Sequence, residues 1–180
     1  AEDGIRDVAV TGVQTCALPI CKAAILFYLL VYAITNLAAF GAIALLGSRD
    51  NARDGLHDYA GLWHSRPWVA GLLTVAMLSL GGLPPTAGFI GKWYVFSAAV
   101  ASHYYGLAII GVLSSVVSVF FYMRVVVMMY MTEKSTGSSP VPVAGAGLAT
   151  LVVTIAAIFY LGILPTRVLN LAAASIGSLF

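Results

Sequence analysis

Residues 23–47, "AAILFYLLVYAITNLAAFGAIALLG", run for 25 positions without a charged side chain. As a helix this stretch reaches ~37 Å, enough to cross a ~30 Å hydrocarbon core. Three more apolar runs follow, at 68–101, 105–131 and 143–164. At 61% hydrophobic and 9% charged residues, the chain has too little polar surface for a water-soluble domain. Lipid offers backbone groups no hydrogen-bond partners, so such runs cross it as helices. The expected fold class is all-α: a polytopic membrane helix bundle with about four spans. All seven acidic residues lie outside the apolar runs.

The second apolar run departs from a simple span. Thirty-four residues of straight helix measure ~51 Å, too long for one crossing and too short for two with a turn. Pro84 and Pro85 sit near its middle, where each removes a helical hydrogen bond. The length and the prolines together predict a discontinuous helix: two halves over 68–81 and 88–101, joined by an extended "GLPPTA" and broken near 82–87. Gly82, Gly88 and Gly91 flank the prolines and let backbones approach one another.

Polar segments separate the spans. Residues 48–67 form the long connector, with a short surface helix expected over 53–62 that sets Asp54 and Asp58 one turn apart. Residues 132–142, "TEKSTGSSPVP", form a second connector, and Pro165 ends the last span before a tail suited to lie along the interface. With the first span running inward, Arg49, Arg53, Arg66, Arg124 and Lys134 fall inside and only Lys22 and Arg167 outside. That bias sets both ends of the span-forming part on the outer face. Trp63, Trp68, Tyr104, Tyr105 and Tyr130 fall near span ends, as an aromatic belt would.

Residues 1–20, "AEDGIRDVAVTGVQTCALPI", read as translated sequencing adapter, with Val8 and Ala9 filling an index. They are expected to be non-native, leaving 21–180 as a partial membrane domain whose natural chain continues upstream. Cys16 and Cys21 then carry no information about redox compartment.

Lys92 is the charged residue lying well inside a span; Arg124 lies near a span end and reads as an anchor. An ammonium at membrane depth carries a desolvation cost, which suits a lysine there to exchange protons. A helix break beside it leaves unpaired carbonyls and amides, tolerable only against protein or a watered cavity. Such breaks recur at ion sites in transporters. Lys92 is therefore the candidate proton-transfer residue, and Gly82, Pro84, Pro85, Gly88 and Gly91 form the break around it. The competing readings are a lysine that snorkels to an interface and a proline kink used for packing. No acid lies within the spans, which leaves water, backbone carbonyls or another subunit as the partner of Lys92. Thr35, Asn36, Ser114 and Ser118 are candidates to line a hydrated path, with interhelical hydrogen bonding and packing as the alternatives.

Other chemistry finds no support. His57, His64 and His103 lack metal-ligand spacing, and there is no nucleophile–base set, phosphate-cradling loop or redox-cofactor motif. No basic stripe marks a nucleic-acid surface.

The segments "LFYLLVYAITNLAAFG", "DYAGLWHSRP", "LSLGGLPPTAGFIGKWYVFSAAV", "LAIIGVLSSVVSVFFYMRVVVMMY" and "LGILPTRVLNLA" follow one another as in the subunit-N family of NADH-quinone oxidoreductase, respiratory complex I. The chain resembles that family over residues 22–180. "GLPPTAGF" alone is shared by the wider group of antiporter-like subunits. The resemblance implies the eleventh to fourteenth of fourteen spans, with the twelfth broken. It also implies a role in redox-driven proton translocation in a bacterial inner membrane, with both ends of the piece on the periplasmic side. Lys92 matches the family lysine of the broken helix, where the related subunit M usually carries a carboxylate. The implied partners are the lipid bilayer and other membrane subunits of the complex. The implied cofactors, namely quinone, FMN and iron–sulfur clusters, belong to other parts of that complex, so this piece alone is expected to be inactive. The alternative is the D-type subunit of a multisubunit sodium/proton antiporter, and a third reading is a structural scaffold.

Overall fold

The computed structural model describes residues 3–47, 55–132 and 145–177, with side chains for 23–47, 55–132 and 145–172. Asp54 and the connector over 133–144 lie outside the described residues, as do the side chains of the adapter-like segment.

Among the described residues seven α-helices follow in order: α1 Asp3–Leu46, α2 Leu62–Ser65, α3 Pro67–Gly81, α4 Ala87–Ala101, α5 Tyr105–Met131, α6 Gly145–Ile163 and α7 Thr166–Gly177. No strand occurs among the described residues, and the chain is an all-α membrane bundle. The stretches Ala23–Leu46, Tyr105–Met131 and Gly145–Ile163 are each long and apolar enough to cross a membrane. The helix α1 begins upstream of the apolar run, at Asp3.

The helices α3 and α4 each have 15 residues, ~22 Å and too short to span alone. Following one another, they lie along α5, as their contacts with it show. The Thr74 and Tyr130 hydroxyls share a hydrogen bond at 3.3 Å, near the end of α5. Gly81 faces Val119 at mid-length, and Phe96 faces Gly111 near the start. The pair α3–α4 thus runs the length of α5 in the opposite direction. The chain leaves the helix between Gly81 and Ala87.

The expected surface helix over 53–62 is not continuous. A 3-10 turn at Leu56–Tyr59 is followed by the separate α2, because Gly61 adopts a left-handed φ of 63° between them. The Asp58 carboxylate accepts the Gly55 N–H at 3.0 Å and starts the turn. This segment packs against the end of α5: Gly61 N–H bonds the Met128 carbonyl at 3.3 Å, and Trp63 stacks on Tyr130 with centroids 5.0 Å apart. Gly147 at the start of α6 lies against Leu45 at the end of α1. The 55–66 segment and the adjoining ends of α1, α5 and α6 therefore share one face of the bundle.

The core runs along one side of α1, through Phe27, Val31, Thr35, Ala38, Ala42 and Leu46. Their three- and four-residue spacing is one helical face. It meets Ala70, Leu73, Ala76 and Ser79 of α3 and Leu151, Ile155 and Ile158 of α6. Small residues predominate where backbones close up, as van der Waals packing in lipid requires. By contrast, α5 buries only Ala108 and Met129. The tail helix α7 packs against α1, with Val168 and Leu169 leaning on the core.

Candidate functional site

A helix that stops at membrane depth leaves its last four carbonyls without intrahelical partners. At the end of α3 each of the four can be accounted for. Gly82, at φ 82°, turns the chain back so that its N–H bonds the Leu78 and Ser79 carbonyls, both at 3.0 Å. The Leu83 N–H also reaches the Leu78 carbonyl at 3.0 Å, completing a Schellman closure. The remaining carbonyls, of Leu80 and Gly81, are taken by Lys92, whose Nζ donates at 2.9 Å and 3.1 Å. The lysine of the second half-helix thus caps the first. Its ammonium also sits where the aligned peptide dipoles of α3 leave partial negative charge. Backbone carbonyls are one of the three partner classes left open by the absence of an acid within the spans.

The start of α4 is held from across the break. The Thr86 hydroxyl turns back to the Leu83 carbonyl at 2.7 Å and does not cap the helix. The Gly88 N–H instead donates to Ser79 Oγ at 3.3 Å. At Gly88, α4 lies so near α3 that a Cβ there would overlap the Ser79 carbonyl. Gly91 packs against Tyr28 of α1, with room for a Cβ only 3.2 Å from its ring. The peptide bond joining Pro84 and Pro85 is cis. Their rings are exposed, while Thr86, Ala87 and Gly88 are buried. The backbone of this stretch lies against Gly162 of α6, where a Cβ would overlap the Pro85 carbonyl and the Ala87 nitrogen.

Beside Lys92 a cavity of about 390 Å³ opens between α1, α4 and α5. Its polar lining comprises Lys92, the phenols Tyr28, Tyr32 and Tyr122, and the hydroxyls of Ser114, Ser115 and Ser118. Ser114 and Ser118 therefore lie with Lys92. Thr35 lines an adjoining cavity of about 10 Å³ together with Ser79, Gly88 and Lys92, a volume at the lower limit for one water. Asn36 lines neither; its side-chain amide bonds the Tyr32 carbonyl at 2.8 Å. Arg124 is exposed on α5.

Ser79 and the three tyrosines were not singled out in the sequence. The only signal for Ser79 is a hydroxyl placed nine residues before a glycine across a proline pair, and nothing local tells it from a packing serine. The tyrosines come from α1 and α5 and meet Lys92 only through the tertiary fold. No group of three or more His, Cys, Asp or Glu residues is placed to hold a metal among the described residues.

Residues 9–118 match the family described as "NADH:quinone oxidoreductase/Mrp antiporter, TM". Among curated proteins, the chain is 45% identical over 152 residues to NADH-quinone oxidoreductase subunit N of Trichlorobacter lovleyi, covering 84% of this chain and 31% of that protein. It is 44% identical over 152 residues to NADH-quinone oxidoreductase subunit N 2 of Roseiflexus castenholzii, covering 82% and 29%. The chain thus spans about a third of the length of the curated relatives it matches. Among solved structures it superimposes on a chain of respiratory complex I from Thermus thermophilus with a TM-score of 0.73 at 30% identity, over 91% of this chain and 37% of that one. A chain of the Mrp complex from Dietzia sp. gives 0.75 at 22% identity, over 86% and 37%, a likeness of fold alone.

Proposed function

This chain belongs to the NADH:quinone oxidoreductase/Mrp antiporter membrane family, and we propose that it is part of a proton-translocating subunit N of NADH-quinone oxidoreductase, with Lys92 as a proton-transfer station. The observation that carries this reading is the pair of hydrogen bonds from Lys92 Nζ to the Leu80 and Gly81 carbonyls beside a hydroxyl-lined cavity. An ammonium has three N–H donors and a neutral amine two. The two carbonyl bonds can therefore persist in both protonation states. The third position exchanges: its N–H bond breaks as a cavity water takes the proton, and the lone pair left behind accepts the next one. The half-helix carbonyls favour the loaded form, and desolvation opposes it, which poises the site between the two.

In this reading the electrons pass through quinone, FMN and iron–sulfur clusters held elsewhere in the complex, and this chain supplies a stage of the coupled proton path. Its neighbours are other membrane subunits of the complex and the lipid bilayer. The face carrying the 55–66 segment is cytoplasmic, on the arginine bias, in a bacterial inner membrane. The fold shared with the Mrp complex favours, as the second reading, a D-type subunit of a multisubunit sodium/proton antiporter.

The deciding experiment places Lys92→Ala in the full-length subunit and measures protons pumped per NADH oxidised in inverted membrane vesicles. Pumping should fall at least severalfold while the complex still assembles. An undiminished ratio overturns the role of Lys92, and a sodium-dependent exchange without NADH turns the assignment to the antiporter.

A further inference from the structure

Ser79 is 1% exposed and Thr35 is 1% exposed, and their hydroxyl oxygens stand 3.4 Å apart between α3 and α1. The proton assignment follows from what each group can do. The Thr35 hydroxyl donates its one proton to the Val31 carbonyl at 2.7 Å. The Gly88 N–H is already a donor to Ser79 Oγ. The proton left for the contact is that of Ser79, donated to Thr35 Oγ1. The order is Gly88 N–H to Ser79, Ser79 O–H to Thr35, Thr35 O–H to Val31, with every proton committed. The 3.4 Å link is long for a hydroxyl pair and makes this the weak joint of the chain.

We propose that Ser79 is a positioning residue for Lys92: oriented by Thr35, it ties the start of α4 to the end of α3 at the spacing that brings the ammonium onto the Leu80 and Gly81 carbonyls. Lys92 lies one helical turn beyond Gly88, and its acceptors directly follow Ser79 in sequence. A shift of α4 at Gly88 therefore becomes a shift of Nζ relative to both carbonyls. A committed proton chain does not relay protons; Ser79 acts through Lys92. Thr35 brings α1 into the same tie, so a movement of α1 against the break would be felt at Lys92. This inference rests on the proton-transfer reading of Lys92.

The test uses the full-length subunit in the assembled complex, with native-gel abundance and the pH profile of protons pumped per NADH as readouts. Ser79→Ala should lower the ratio roughly fivefold, the size expected for one net hydrogen bond, and displace the pH profile. Thr35→Val should act in the same direction, and Thr35→Ser should restore the parent behaviour. An assembled S79A complex with the parent ratio and pH profile overturns the proposal. If S79A fails to assemble, the Thr35 pair decides: an assembled T35V complex with parent values overturns it, and a loss rescued by T35S supports it. Lys92→Ala runs alongside. A silent K92A means that the proton-transfer reading itself has failed, whereas a strong K92A effect with a silent S79A removes only the positioning role.

Discussion

Ser79 and Gly88 face each other across the proline break so closely that a Cβ on Gly88 would overlap the Ser79 carbonyl, while the Gly88 N–H bonds Ser79 Oγ. The two halves of the discontinuous helix are thus locked by a backbone contact that glycine permits. Gly88→Ala should force α4 away from α3, with a destabilisation of about 1–3 kcal/mol, as for other overpacked sites. In the full-length subunit the expected result is less assembled complex and lower pumping in what remains. Parent-level assembly and pumping would show that the contact is not tight.

Lys92→Arg separates proton carriage from charge placement. A guanidinium can bond the Leu80 and Gly81 carbonyls, yet it does not release its proton in proteins. Assembly should be closer to the parent than in Lys92→Ala, while protons pumped per NADH fall to the K92A level. Pumping near the parent value in K92R would mean that fixed positive charge is sufficient there.

The seal over the break is tested at α6. A Cβ at Gly162 would run into the Pro85–Ala87 backbone, whereas one at Gly71 on α3 meets nothing within 4 Å. Gly162→Ala should therefore lower the thermal stability of the purified complex, and Gly71→Ala should leave it within about 0.5 kcal/mol of the parent. Equal effects of the two changes would refute this account of α6 packing.

Ser118 lines the Lys92 cavity from α5. Ser118→Leu fills part of the space available to water with hydrocarbon and suits a lipid-facing helix such as α5. Proton pumping should slow severalfold with assembly intact, measured as acidification rate in vesicles. A rate equal to the parent would place the proton path elsewhere.

Much of the architecture was legible in the chain itself. Residues 68–101 had one length and one proline pair, which together favoured two half-helices over a packing kink; α3 ends at Gly81 and α4 starts at Ala87. The segment over 53–62 was less legible, because Gly61 ends one turn and starts another by adopting a positive φ that its neighbours do not announce. The buried side of α1 was also obscure. In lipid both faces of a helix are apolar, so the periodicity that marks the core side of a soluble helix is weak.

By itself, the sequence determined that the chain is an all-α membrane bundle, and it set a proline pair and a lysine close together within one apolar run. Those outcomes follow from local chemistry: hydrocarbon length, missing amide protons and a costly charge. Only the tertiary structure decided what Lys92 touches. Its acceptors are the carbonyls of Leu80 and Gly81, groups that every residue carries and no sequence position advertises. They become the acceptors of Lys92 because the Gly82 turn leaves them unpaired and because Ser79 and Gly88 bring the second half-helix within reach.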